Sequence, residues 1–188
     1  MSNSILKIEW IEQVHFYDMP RKYYKRTYKK DKYSIEQTNI LTPAVNSWPL
    51  IETLDETRLN SRQFGIPIIP PANFQGMRKV KHITFSICNP TSSNEELALI
   101  YAIVFVPQGY APQQIIMPNY GYAQNNYESN QFIMSTGVID FSAGPNRIRT
   151  RLSRNLNSGD SIYLILATPN LGTGGGLLAQ VSYAITLQ

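Results

Sequence analysis

Met77–Cys88 reads MRKVKHITFSIC, and its alternation decides the fold. Val80, Ile83, Phe85 and Ile87 stand against Lys79, Lys81, Thr84 and Ser86, with one slip near His82. Strict alternation over such a length is the mark of a strand wet on one face. Asn89-Pro90 ends it, since proline cannot donate to a ladder. Working outward, Gln63–Pro70 is a second strand, with Phe64, Ile66 and Ile68 on one face and Pro67 confining it to an edge or a bulge. Tyr33–Ile40 alternates imperfectly but is β-branched and ends before Pro43. Ala44–Ser61 reads as a polar loop carrying Trp48 and the acids Glu52, Asp55 and Glu56.

Downstream, Leu97–Val106 is a near-continuous apolar run closed by Pro107, and Ile100, Tyr101, Ile103, Val104, Phe105 and Val106 favour strand over helix. Phe132–Ile139, Asn146–Leu152, Ser161–Ala167 and Leu178–Leu187 complete a set of eight strands, with a turn at Asn157–Asp160. No helix is expected in this part of the chain. The class is all-β, and eight strands at this length suit a single jelly roll, an antiparallel sandwich of two sheets. Leu97–Val106 and Ser161–Ala167 are apolar on both faces, so something must cover the second face; the expectation is another subunit rather than a loop. Gln108–Asn130 is a long loop rich in tyrosine and asparagine, expected at an outer surface and in contact with a host.

Charge divides the chain. Met19–Lys32 holds Arg21, Lys22, Lys25, Arg26, Lys29, Lys30 and Lys32 against Asp31, a net of +6. From Tyr33 onward basic and acidic side chains balance at nine each. Residues 1–18 are mildly acidic and form a leader that could lie upstream of a start at Met19. Three segments are therefore expected: a leader at 1–18, a basic arm at 19–32 and a folded body at 33–188. A block of like charge cannot pack a core and stays disordered when free. Tyr23, Tyr24, Tyr28 and Tyr33 interleave with its cations. Lysine and arginine neutralise phosphates while tyrosine rings stack on unpaired bases, so single-stranded nucleic acid is the expected partner. Further basic groups occur at Arg78, Lys79 and Lys81, and at Arg147, Arg149, Arg151 and Arg154. At period two Arg147, Arg149 and Arg151 share one strand face and need carboxylates or phosphates opposite.

Catalysis finds little footing. The histidines are His15 and His82, too few for a metal site inside a jelly roll. No nucleophile elbow is present. Gly172–Gly176 lacks the Lys-Ser/Thr pair of a phosphate loop. Neither a metal nor a cofactor is expected, and the chain is not expected to be an enzyme. Cys88, the one cysteine, allows no intrachain disulfide and reads as a small buried thiol. No run is long enough to span a bilayer and no signal peptide is legible, which points to a product made inside a cell.

Four segments carry a family resemblance: DKYSIEQTNILTP (31–43), IPPANFQGMRKVKHITFSI (69–87), VFVPQGYAP (104–112) and GPNRIRTRLSRNLNSGDSIYLILA (144–167). Together they resemble capsid proteins of the small circular Rep-encoding single-stranded DNA viruses, circovirus-like, from about Met19 to the last residue. Gln75–Lys81 and Leu152–Asp160 are the most specific matches. The resemblance implies a single jelly roll, sixty copies in a small T=1 icosahedral shell, and a circular single-stranded DNA genome within. It implies a virion protein that passes through the host nucleus, so Pro20–Lys32 would serve as both DNA binder and import signal, with a nuclear import receptor and a host-cell receptor as further partners. Sixty such arms supply roughly 360 positive charges against one negative charge per nucleotide, short of a genome of about a thousand nucleotides or more. Bound cations, or inward-facing Arg78, Lys79 and Lys81, would make up the difference. Other readings stay open: the coat of a small RNA or satellite virus, a cellular jelly-roll binding module whose basic tail is a targeting signal, or a jelly-roll enzyme with an unusual site.

Overall fold

In the computed structural model the described residues are 32–52, 59–90, 98–115, 131–141, 146–168 and 175–187. The leader, the arm up to Asp31, the loop residues 116–130, Asp55, Glu56 and Gly172–Gly174 lie outside them. Ten strands are described: β1 (Ser34–Ala44), β2 (Leu50–Ile51), β3 (Ser61–Ile69), β4 (Arg78–Cys88), β5 (Ala98–Val106), β6 (Phe132–Asp140), β7 (Asn146–Arg149), β8 (Ser153–Leu156), β9 (Ser161–Thr168) and β10 (Gly176–Leu187). Sheet A has the order β1-β10-β4-β7, with β8 also paired to β4; sheet B has the order β2-β3-β9-β5-β6. Every pairing is antiparallel. Strands distant in sequence lie side by side in two facing sheets, which is the double Greek key of a jelly roll.

The core fills the space between the sheets. Val80, Ile83, Phe85 and Ile87 of β4, with Ala179, Val181 and Tyr183 of β10, meet Leu99, Tyr101, Ile103 and Phe105 of β5 and Ile162, Leu164 and Leu166 of β9. Phe85 meets Tyr101 edge-on at 5.1 Å between ring centroids. Tyr101 fits because Gly137, opposite it on β6, has no side chain: a Cβ there would lie 2.8 Å from the ring.

The slip near His82 is a β-bulge. Ser182 pairs with Thr84 and Ala184 with Lys81, so His82 and Ile83 together oppose Tyr183. His82 takes φ +56°, the left-handed region that non-glycine residues seldom visit. Before the bulge the even-numbered Arg78 and Val80 face inward; after it the odd-numbered Ile83, Phe85 and Ile87 do. The bulge also splits the strand expected at Asn146–Leu152. β7 pairs with β4 up to Thr84, the Thr150 amide donates to the Ile83 carbonyl at 2.8 Å, and pairing resumes at Ser153.

Two further expectations change. Ala44–Ser61 is not merely a polar loop: Trp48 is buried, stacks on Phe64 at 5.7 Å and donates from Nε1 to the Pro43 carbonyl at 3.0 Å. The second face of β5 and β9 is covered by the chain itself. Ala102, Val104, Val106, Ile165 and Ala167 are buried in a single chain, with Ile115 packed among them. Gln63 fastens that cover, its Oε1 accepting from the Ile115 amide at 3.0 Å and its Nε2 donating to the Ile115 carbonyl at 2.5 Å. The first part of the expected outer loop thus lies against sheet B.

The bulge gives a direct test. Deleting His82 moves Lys79 and Lys81 into the core and Val80 out of it, so the deletion variant should lose cooperative thermal unfolding. His82→Gly keeps the register and should raise stability by about 1 kcal/mol in urea denaturation, by relieving the strain of a side chain at positive φ.

Candidate nucleic-acid interface

The basic residues singled out in the sequence separate into two sets once the strands are placed. Arg78 pairs with Leu156 and Leu187, both neighbours on the inward face, and it is buried to 9% exposure. Its Nη2 donates to the Asp160 carbonyl at 3.1 Å and to the Pro70 carbonyl at 3.3 Å, and its guanidinium lies 4.7 Å from the Phe74 ring centroid. Burial lowers its pKa, opposed by the nearby Tyr183, Glu36 and Asp160. Arg154 also turns inward, beside buried Val80, with its guanidinium 4.2 Å from the Phe105 ring and 5.5 Å from Phe132. Arg78 is buried and Arg154 half-buried, and both guanidiniums make contacts within the body.

Asp160 holds the Asn157–Asp160 turn in place with both carboxylate oxygens. One carboxylate oxygen accepts from the Asn157 amide at 2.8 Å and the other from the Gln108 amide at 3.1 Å. Gly159, at φ +82°, lets Gln108 approach to a distance that any Cβ would forbid.

Of the remaining cations, Lys79, Lys81, Arg147 and Arg149 project from the outward face of sheet A. Lys79 pairs with Thr186 and Asn155, and Lys81 with Ala184 and Ser153. Beyond the bulge Thr84 pairs with Arg149 and Ser86 with Arg147, while Ile148 between them packs inward on the core. Arg147 and Arg149 are exposed, and Lys79 and Lys81 are half-buried. Arg151 is exposed in the break between β7 and β8, off the paired face. The sequence expectation of three arginines on one face therefore holds for two of them. It missed that two lysines of the neighbouring β4 share that face.

The rest of that face is mixed, with Ile35, Leu41 and Leu178 exposed among polar residues. Gln37 and Asn39 of β1, Gln180 and Ser182 of β10, and Ser153 and Asn155 of β8 occupy it, and Gln180 donates to Asn39 at 3.2 Å. Among the described residues no acid projects there: Glu36 is on the inward side, Asp160 is in its turn, and Glu52 and Asp140 belong to the sheet B side. Tyr33, where the chain enters β1, lies under the Lys81 ammonium at 3.6 Å. Small Ala184 between them leaves the lysine room to cross. Lys32, the last cation of the arm, is exposed. Cys88 is half-buried on this face, not in the core as expected.

Around the inward end of sheet A a cavity of about 300 Å³ is lined by Ser34, Glu36, Pro70, Arg78 and Tyr183. The Tyr183 hydroxyl donates to Glu36 at 2.6 Å. Among the described residues no three His, Cys, Asp or Glu side chains gather as a metal site. No helix there is long and apolar enough to cross a membrane.

No protein-family model and no curated protein matches the chain. Among solved structures it is similar to a chain of black queen cell virus, at 11% identity over 80% of this chain, with a TM-score of 0.34. It is similar also to a chain of the 2.6 Å structure of infectious bursal virus derived T=1 particles, at 10% identity over 81%, with a TM-score of 0.16. The chain spans 62% of the length of the first and 40% of the second. The fold assignment rests on the strand order, not on these likenesses.

Tyr183 makes the inward end sensitive to alkali. Burial, and then its bond to Glu36, push its pKa well above the ordinary tyrosine value of about 10. The folded state therefore holds this proton more tightly than the unfolded one. Stability from this group is complete below about pH 10 and falls as pH rises past it. Tyr183→Phe should cost about 1 kcal/mol, because Glu36 is solvent-exposed and the bond is partly screened. Melting temperatures followed upward from neutral pH should decline less steeply in the variant.

Proposed function

We propose that this chain is a viral coat protein that assembles into a closed icosahedral shell and packages single-stranded nucleic acid, circular DNA by the family resemblance, through its basic arm. The reading is carried by one combination: a jelly-roll body with balanced charge joined to a block of net charge +6. The fold alone hosts many functions. The arm adds the chemistry, since clustered lysine and arginine release counterions from a polyphosphate whatever its sequence.

The body supplies material for self-association. Ile35 and Leu41 on β1 are 80% and 69% exposed, Leu178 faces Leu41 across the pair, and Val138 of β6 is exposed at the edge of sheet B. Since the outer side of β5 and β9 is already covered, subunit contacts fall to sheet edges and loops. In this reading the shell has sixty copies, the arm also carries the chain into the host nucleus by way of an import receptor, and a host-cell receptor meets the outer surface. No catalytic step is part of the proposal.

Expression of the full chain tests it. Negative-stain electron microscopy should show closed shells, and these should protect DNA from nuclease. Replacing Arg21, Lys22, Lys25, Arg26, Lys29 and Lys30 by glutamine should abolish most of that protection and leave shells able to form. Monomers or discrete trimers across a range of salt and pH would contradict the coat reading, and protected RNA would contradict the DNA assignment.

A further inference from the structure

Among the described residues β1 ends sheet A, and nothing pairs with the edge that it turns away from β10. Alternate amides and carbonyls of Ser34–Thr42 point out along that edge, over roughly 30 Å of strand. We infer that this edge pairs antiparallel with β1 of a second copy of the chain, about a two-fold axis at Thr38, so that two copies of sheet A join into one. This deepens the coat reading and rests on it for the expectation that copies meet; the register comes from β1 itself.

Open edges invite unwanted partners, and folded proteins blunt them with short strands, charges, bulges or proline. The other edges of this body are blunted. β7 is four residues long and carries exposed Arg147 and Arg149, β2 is two residues long, and β6 bulges at Met134 against β5. Along Ser34–Thr42 β1 has none of these devices, since its one charge, Glu36, accepts from the Tyr183 hydroxyl on the inward side. Ser34 through Asn39 are exposed in succession, on both faces of the strand.

A two-fold contact sets the same strand on both sides, so the strand must complement its own reverse. On the outward face Ile35, Gln37, Asn39 and Leu41 read apolar, amide, amide, apolar. Centred on Thr38, Ile35 meets Leu41 of the copy, Gln37 meets Asn39, and Thr38 meets Thr38, all favourable cross-strand pairs. Ile35 and Leu41 are the two most exposed apolar side chains of β1, and the pairing covers both. Leu178, beside Leu41, widens each apolar end. Asn39 accepts from Gln180 of its own sheet, which leaves its amide hydrogens for the Gln37 oxygen of the copy. Neighbouring registers fit worse. A centre at Gln37 sets Ile35 against Asn39, and a centre at Asn39 sets Gln37 against Leu41. A centre at Glu36 brings two carboxylates face to face, which is destabilising. An unrelated extended peptide could match the amides and carbonyls but not this order of side chains, so the edge fits a second copy.

Disulfide cross-linking of full-length chains tests the register, with C88S removing the native thiol. Directly opposed residues of an antiparallel pair lie about 4.5–5.5 Å apart between Cα atoms, within disulfide reach. T38C/C88S should therefore cross-link to itself under mild oxidation. I35C/C88S and L41C/C88S should each run as monomers on a non-reducing gel and give a dimer band when mixed, because like positions lie ~20 Å apart in this register. A second pair of variants works without thiols. I35K/L41K sets lysine against lysine at both ends, and sedimentation should show association weakened about tenfold with the circular dichroism unchanged. Mixing it with I35E/L41E should restore association. A T38C/C88S chain that does not cross-link overturns the edge pairing, whether or not shells form; residues 1–31 of the same chain lying on the edge would give that result. An I35C/C88S chain that cross-links to itself as readily as to L41C/C88S overturns it also. Cross-linked dimers without shells in the microscope support the pairing and sink the coat reading, whereas shells without cross-links do the reverse.

Discussion

The bulge at His82–Ile83 is the constraint on which the rest of the body depends. A strand has two faces, and one residue's shift exchanges them. β4 must bury Val80 before the bulge and Phe85 and Ile87 after it, three positions that no regular strand could place on one side. The extra residue resolves the conflict at the cost of a positive φ. The same event breaks the neighbouring strand into β7 and β8, sends Arg154 and Leu156 inward, and sets Lys79 and Lys81 on the same outward face as Arg147 and Arg149. Core and charged surface are thus two consequences of one backbone irregularity.

Sheet B shows the complementary economy. β5 and β9 are apolar on both sides because both sides are buried, one by sheet A and the other by residues leading to Ile115. The glutamine amide of Gln63 satisfies both backbone groups of Ile115, as a neighbouring strand would. Among the described residues none seals the outer side of sheet A in this way. The asymmetry sets a covered side of sheet B against a side of sheet A that mixes cations and polar groups with the exposed Ile35, Leu41 and Leu178.

Much of this was legible in the sequence, for a physical reason. Alternation reports burial directly, so the wet strands were found, and the slip at His82 was visible as a break in period. Pro67 likewise signalled irregularity, and the register shifts between it and Ile69. What was not legible depends on partners distant in the chain. The break after Arg149 is imposed by β4, more than sixty positions away in sequence. Trp48 looked like a loop residue because its neighbours are polar, yet it packs on Phe64. Arg78 and Arg154 carry the same charge as the outward cations, and only strand register assigns them to the interior. The cover over sheet B was expected from another subunit because nothing local marks Ile115 as the residue that seals it.

On the proposed reading, copies join along β1, and the amides on that edge pass from open to paired as particles close. Hydrogen–deuterium exchange across Ser34–Leu41, compared between intact particles and dissociated subunits, measures this directly. The account predicts exchange slowed there in closed particles and unchanged in β9, which is paired on both sides within the single chain; equally fast exchange of Ser34–Leu41 in both states would contradict it.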